Sequence, residues 1–395
     1  MNTDKKIEFF EPNPRLLMGP GPSGAHPSVL AAMAMPLIGH LDPDFLRLMD
    51  ECKNMIREVF QTNNRFTLAT PGTGTSGMEA AVMNMLEPGD RAIIGTCGYF
   101  GNRIVEMAER TGAEVIQVDA EWGSAIEPEA IRAAAKKTQP IKLIAIVHAE
   151  TSTGVQQPIE QISEIAKELD ALLLIDCVTS LGGIPVQADK WEADILYSGT
   201  QKCLSAPPGA SPITLSEKAV GALSSRKTLP NTWYLDLQKL EAYWDNRRAY
   251  HHTSPISMLY ALHRALAITL NEGLENRWKR HERNGRALQN GLEALGLVLH
   301  AEKSVRLSVL TTVRIPEGID GELIKSELLS NFSTEIAGGL GVLKGKIWRI
   351  GLMGESSTPN NVLFFLSAFG ILLRKYGFKA DVAASLESAA QTLKV

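Results

Sequence analysis

Short apolar runs recur along the chain from Arg65 onward: Phe66 to Ala69, Ala92 to Ile94, Val115 to Val118, Leu143 to Val147, Leu172 to Ile175 and Ile195 to Tyr197. Segments with apolar residues at helical spacing separate them, among them Thr75 to Leu86, closed by Pro88-Gly89-Asp90, and Pro158 to Glu168. This alternation predicts an α/β fold with a mostly parallel sheet. Upstream, Phe45, Leu48, Met49, Cys52, Met55, Ile56, Val59 and Phe60 predict an amphipathic helix. After His252 the pattern changes. Pro255 to Leu295 predicts nearly continuous helix with Glu272, Glu275, Arg277, Lys279 and Arg280 as surface charges, bridging two domains. Strand-like Leu310 to Ile315 and Trp348 to Gly351, with a final amphipathic helix from Asn361, predict a smaller α+β domain. The division expected is an arm over 1–14, a large domain over 15–270 and a small domain over 271–395.

Composition narrows the partners. With 40 basic and 44 acidic residues, a net charge of −4, and the signs interspersed, the chain carries no basic footprint for nucleic acid. Small molecules or a second copy of the chain are the partners expected. Cys52, Cys97, Cys177 and Cys203 are far apart and form no C-x-x-C, so neither a disulfide framework nor a zinc site is indicated and a reducing compartment fits. The longest apolar stretch, Val362 to Leu373, is broken by Ser367 and Gly370 and is shorter than the roughly 20 residues that cross a bilayer. The first residues, MNTDKKIEFFEP, show neither an apolar leader core nor an Arg-rich amphipathic pattern. A cytoplasmic protein without a membrane span is therefore expected.

Three local patterns carry chemistry. Gly72-Thr73-Gly74-Thr75-Ser76-Gly77 follows a strand and opens a helix, where backbone N–H groups can receive a phosphate. It also matches G-x-G-x-x-G, but the next strand ends Gly95-Thr96-Cys97-Gly98 without the carboxylate a dinucleotide ribose needs, which argues against nicotinamide binding. By itself the loop leaves a structural turn as the lesser alternative. Asp176 ends the strand Leu172 to Ile175, where ligands of open α/β sheets bind, although a helix cap would use the same residue. Lys202, in Ser198-Gly199-Thr200-Gln201-Lys202, lies 202 − 176 = 26 residues further on, with small, polar flanks suited to an amine held in one place. His251 and His252 lack a third ligand at suitable spacing and read as structural.

Together these patterns resemble the class V aminotransferases, fold type I pyridoxal-phosphate enzymes, and within them the alanine:glyoxylate and serine:pyruvate group. The resemblance runs from Leu17-Met18-Gly19-Pro20-Gly21-Pro22-Ser23 through His148-Ala149-Glu150-Thr151-Ser152-Thr153-Gly154, Leu196 to Lys202 and Tyr250-His251-His252-Thr253 to Arg349-Ile350-Gly351-Leu352. It implies a large domain with a mostly parallel seven-stranded sheet and a smaller C-terminal α+β domain. It also implies pyridoxal 5′-phosphate as cofactor and a homodimer with shared sites.

By that resemblance Lys202 bonds covalently to the cofactor and shuttles the substrate proton, and Asp176 pairs with the pyridine nitrogen. Val178 packs one ring face and Phe100 stacks on the other. Thr73, Gly74, Thr75 and Gln201 cradle the phosphate, with Tyr250 and Thr253 reaching in from the neighbouring subunit. Thr151 bonds the phenolic oxygen, and Arg349 grips the substrate carboxylate, where a surface salt bridge is the alternative. Animal members tend to carry His at the Thr75 position, and Ala is commoner at Gly77. The implied reaction moves an amino group from alanine or serine to glyoxylate. The alternatives are transamination of ureidoglycine or an aminophosphonate, and desulfurase or lyase chemistry at a mobile cysteine, for which Cys203 is the nearest candidate. His40, in Gly39-His40-Leu41-Asp42, receives no role.

Overall fold

The computed structural model describes residues 9–394; the first eight residues of the expected arm and most of the segment read for a leader lie outside the described residues. The six apolar runs all form strands, β1 (Phe66–Gly72), β2 (Arg91–Thr96), β3 (Glu114–Asp119), β4 (Leu143–Val147), β5 (Leu172–Asp176) and β6 (Ile195–Tyr197). A seventh, β7 (Gly209–Leu215), completes one sheet of order β1-β7-β6-β5-β4-β2-β3. Neighbours among β2 to β6 pair in parallel, whereas β7 runs antiparallel to both β1 and β6.

Hydrophobic pattern alone did not reveal β7, because its sequence, Gly-Ala-Ser-Pro-Ile-Thr-Leu, reads as a turn. Pro212 sits inside it opposite Ala69, and its carbonyl accepts the Ser198 N–H at 2.8 Å. A proline lacking its N–H is thus accommodated in an interior strand, against the usual confinement to edges.

Helices flank the sheet: α1 (Pro43–Phe60), α2 (Gly74–Met85) and α3 (Tyr99–Glu109) come from its first half. The apolar stripe of α1 is buried through Phe45, Met49, Cys52, Ile56, Val59 and Phe60, as its spacing predicts, in the same core cluster as the strands. The expected continuous helix after Pro255 is instead two helices, α4 (Ile256–Glu272) and α5 (Leu274–Ala294). Gly273 breaks it at φ 81°, a left-handed backbone that glycine adopts without a Cβ clash. Arg277, expected on the surface, is only 3% exposed. Its guanidinium donates to the Gly182 and Cys203 carbonyls at 2.8 and 2.5 Å and pairs with Glu272 at 2.6 Å.

The C-terminal third packs a second core, in which Met18 joins Leu288, Leu292, Trp348, Ile350, Phe365 and Phe369. Its sheet is β8 (Leu310–Arg314), β9 (Ala337–Gly338) and β10 (Ile347–Gly351), with β10 in the middle. The helix expected from Asn361 is α6 (Pro359–Lys375), and it is not the last: α7 (Val382–Leu393) follows and packs on α5. Among the described residues no helix is long and apolar enough to cross a membrane.

Candidate active site

The site loops share one edge of the large sheet. Strands β1, β2, β4, β5 and β6 run in the same direction, and their C-terminal ends lead into Gly72 to Thr75, Gly98 to Phe100, His148 to Thr151, Asp176 to Val178 and Ser198 to Lys202. That edge is where open α/β sheets bind ligands. A cavity of about 240 Å³ opens there, lined by Gly74, Thr75, Phe100, Thr151, Asp176, Val178, Gln201 and Lys202 of the expected residues and by Arg103 in addition.

Asp176 is fixed by register. It pairs with Val147 on one side and Tyr197 on the other, so its carboxylate stands at the strand ends among buried neighbours. Oδ1 accepts the Val178 N–H at 2.8 Å and Oδ2 accepts the Tyr197 hydroxyl at 2.8 Å. Burial pushes its pKa up to about 6 despite those two donors, which favour the charged form.

Lys202 is held from behind. Its Nζ donates to the Pro20 carbonyl, Ser23 Oγ donates to the Lys202 carbonyl at 2.6 Å, and the Ser23 N–H donates to the Gln201 carbonyl at 2.8 Å. A Cβ on Gly21 would lie 2.7 Å from Lys202 Nζ, and Gly21 has φ 108°, so only glycine lets this backbone close over the lysine. Desolvation, followed by the Arg349 charge, lowers the Lys202 pKa to about 8.

Arg349 sits on β10, the central strand of the small sheet, and is 6% exposed. Its Nε donates to Gly338 O at 2.7 Å and its Nη1 to Thr151 O at 3.4 Å, while no Asp or Glu among the described residues forms an ion pair with it. The loop 17–23 joins this strand to the lysine: the Gly351 N–H bonds Met18 O at 2.7 Å, and a Cβ at Gly351 would stand 2.1 Å from Gly19 O.

Four expected residues do not line the cavity of this chain: Arg349, which stands on β10, and three others. Thr73 caps α2 from an exposed position, and Tyr250, 61% exposed, and Thr253, also exposed, face away. His40 packs beside Tyr250, with ring centroids 5.2 Å apart. His251 lies tilted against Trp233 with ring centroids 4.4 Å apart, His252 stacks on Tyr234 at 4.1 Å, and no group of three metal-ligating side chains occurs among the described residues. Gly77 has a local reason, since a Cβ there would meet Ser211 Oγ at 2.1 Å.

Glu150 lies within the His148 to Gly154 motif, where the sequence pattern indicates no role for it. It is fully buried, and its carboxylate accepts the N–H groups of Phe100 and Gly101 at 3.1 and 3.2 Å and the N–H and hydroxyl of Ser152 at 3.0 and 2.6 Å. Ser152 Oγ in turn accepts the Tyr99 N–H at 2.8 Å. The pair caps the first turn of α3 and so fixes where Phe100 stands. A lone carboxylate in a run of small residues after a strand was the available signal.

Comparison with known proteins agrees with this geometry. Residues 30–344 match the family model described as aminotransferase class-V. The chain is 40% identical over 393 residues to the (S)-ureidoglycine--glyoxylate transaminase of Bacillus subtilis (strain 168), covering 95% of this chain and 94% of the relative. It is 42% identical over 351 residues to the alanine--glyoxylate aminotransferase of Rattus norvegicus, covering 88% and 84%. The crystal structure of an alanine--glyoxylate aminotransferase from Nostoc sp. superposes with a TM-score of 0.92 at 48% identity, over 94% of this chain and 99% of that one.

Proposed function

The chain belongs to the class V aminotransferases, which work with pyridoxal 5′-phosphate, and on that premise we propose that it passes an amino group from a small donor, alanine or serine, to glyoxylate. The observation that carries this reading is Arg349, a buried guanidinium without a carboxylate partner among the described residues, close enough to depress the Lys202 pKa. A buried cation of this kind requires an anion, and the planar fork suits a carboxylate. Glyoxylate is the acceptor named for both relatives.

The residues present fit pyridoxal 5′-phosphate. Asp176 offers a buried carboxylate to a protonated ring nitrogen, Val178 and Phe100 offer apolar walls, and Thr151 offers a hydroxyl. Gly74 and Thr75 at the start of α2, with Thr73 at its cap, offer N–H groups to the phosphate, and the buried Gln201 Oε1 lacks a partner that a turned amide would find there. When bound, the cofactor supplies an aldehyde carbon that takes up the amino group and a ring that accepts the electron pair. Asp176 keeps the proton on the ring nitrogen. Arg349 orients the substrate carboxylate so that the Cα–H bond faces Lys202. Lys202, the residue that would hold the cofactor, would serve as the base that takes the substrate Cα proton on Nζ; a pKa of about 8 leaves about a tenth of the amine neutral at pH 7, far more than the ordinary lysine value would.

The working unit in this reading is a homodimer, with Tyr250 and Thr253 completing the phosphate cradle of the partner. Their exposure beside Trp233 and Tyr234, both exposed aromatic residues, supports it. The compartment is the cytoplasm, supported by four cysteines that are all free and buried. Desulfurase chemistry is disfavoured by Cys203, whose thiol is buried and pushed up to about 12 chiefly by desolvation. The test is a panel of alanine, serine and (S)-ureidoglycine as donors against glyoxylate and pyruvate, following keto-acid formation. Alanine or serine with glyoxylate should turn over fastest; a marked preference for ureidoglycine would replace the donor assignment.

A further inference from the structure

Every residue so far placed at the phosphate, namely Thr73, Gly74, Thr75, Gln201, Tyr250 and Thr253, is uncharged at neutral pH. A phosphate monoester carries roughly −1.5 to −2 there. The N-terminus of α2 offsets only about half a charge. A cation is missing from that account. Among the residues lining the cavity only two are cationic, Lys202 and Arg103, and Lys202 is committed to the aldehyde end.

Arg103 is placed for the other end. It projects from the first turns of α3, and its Nη1 donates to Thr75 Oγ1 at 3.1 Å, which brings the guanidinium to the opening turn of α2. Two rings flank it: its Cζ lies 5.0 Å from the Phe100 centroid and 5.3 Å from that of Tyr99. No Asp or Glu among the described residues forms an ion pair with Arg103, whereas Arg91, Arg132 and Arg248 on the surface all have one. A guanidinium that lines a cavity, flanked by rings, hydrogen-bonded and without a counter-ion, has donors left for an anion.

We propose that Arg103 binds the cofactor, supplying the counter-charge of the 5′-phosphate that the neutral cradle lacks. The inference rests on pyridoxal 5′-phosphate being the cofactor of this site. Thr75 then has a second task, since its hydroxyl positions the guanidinium, and the aromatic pair Tyr99 and Phe100 serves the cation on one side as well as the ring on the other.

The test compares two ligands on the cofactor-free protein: pyridoxal 5′-phosphate and pyridoxal, which lacks the phosphate. Affinities are read by absorbance titration for the wild type, Arg103→Met and Arg103→Lys. Arg103→Met should weaken pyridoxal 5′-phosphate by about 10- to 100-fold and leave pyridoxal within about 2-fold, because only the former offers a charge-assisted bond to lose. Arg103→Lys, which keeps charge but not the fork, should lower the ratio of the two affinities by a few-fold, and it decides the matter if Arg103→Met does not fold. Equal losses for both ligands would show that Arg103 merely supports Phe100 and the α2–α3 contact, and an unchanged ratio in either folded variant would also overturn the proposal. A wild type that binds neither ligand would instead defeat the cofactor assignment itself.

Discussion

The Tyr197 hydroxyl donates to Asp176 Oδ2 at 2.8 Å across the register pair that joins β6 to β5. This bond does not offset burial, since the carboxylate pKa still rises from the ordinary 3.8 to about 6. An acid whose folded pKa is raised stabilises the fold fully below its unfolded pKa, and that contribution is lost as pH rises through the folded value. At pH 8 the ionised Asp176 therefore costs the cofactor-free protein stability, on the order of 2 to 3 kcal/mol. Asp176→Asn should raise the melting temperature of the cofactor-free protein at pH 8 while abolishing most turnover. No helix directly follows Asp176 among the described residues, so a variant with near wild-type turnover would leave it as the acceptor that shapes the turn at Val178.

Lys202 should be the site of covalent attachment. Borohydride reduction followed by peptide mapping is expected to place the pyridoxyl group on Lys202, and an adduct on another lysine would refute the assignment. In the cofactor-free protein, labelling of Lys202 with an amine reagent should follow a midpoint near pH 8, because desolvation and then Arg349 depress its pKa and the neutral amine is the reactive form.

Arg349→Lys should raise the apparent KM for both the amino donor and glyoxylate, by roughly 2 to 4 kcal/mol, since lysine cannot reproduce the bidentate fork. Both half-reactions suffer because donor and acceptor use one carboxylate site in turn. A purely structural role, through the bonds to the Gly338 and Thr151 carbonyls, would instead lower the melting temperature and leave both KM values unchanged. Measuring all three on one preparation separates the two.

Glu150→Gln keeps the shape but replaces one acceptor oxygen by a donor, so N–H groups of Phe100 and Gly101 or the Ser152 pair lose a partner. Stability should fall by about 1 to 3 kcal/mol. If Glu150 also sets the Phe100 ring against the cofactor, the visible circular dichroism of the bound cofactor should change. An unaltered band would reduce Glu150 to a cap of α3.

The shared site is tested by mixing. Thr253→Asp should repel the partner's cofactor phosphate, and Lys202→Ala should stop proton transfer; each homodimer is expected to be inactive. Hybrid dimers should regain activity, since one of their two sites holds both native residues. Verified hybrids that stay inactive would contradict the sharing of Tyr250 and Thr253.

Most of the strands were legible in the chain because a strand buried on both faces must be apolar throughout, and five such runs, with the partly exposed edge strand β3 beside them, are hard to place except in a covered parallel sheet. Asp176 and Lys202 were legible for a related reason: a carboxylate at the end of one strand and a lysine among small residues after another stand out against their neighbours. The strand carrying Pro212 was not legible, because its pairing is decided by β1 and β6 on either side rather than by its own propensity. Nor was the division of charge along α4 and α5, where helical spacing cannot say that Arg277 points inward to the carbonyls of Gly182 and Cys203. The roles of Glu150 and Arg103 required the tertiary structure for the same physical reason. Glu150 acts on N–H groups about 50 residues away and Arg103 on a helix start 28 residues away, and a charge reveals its partner only when folding brings the two within hydrogen-bond distance.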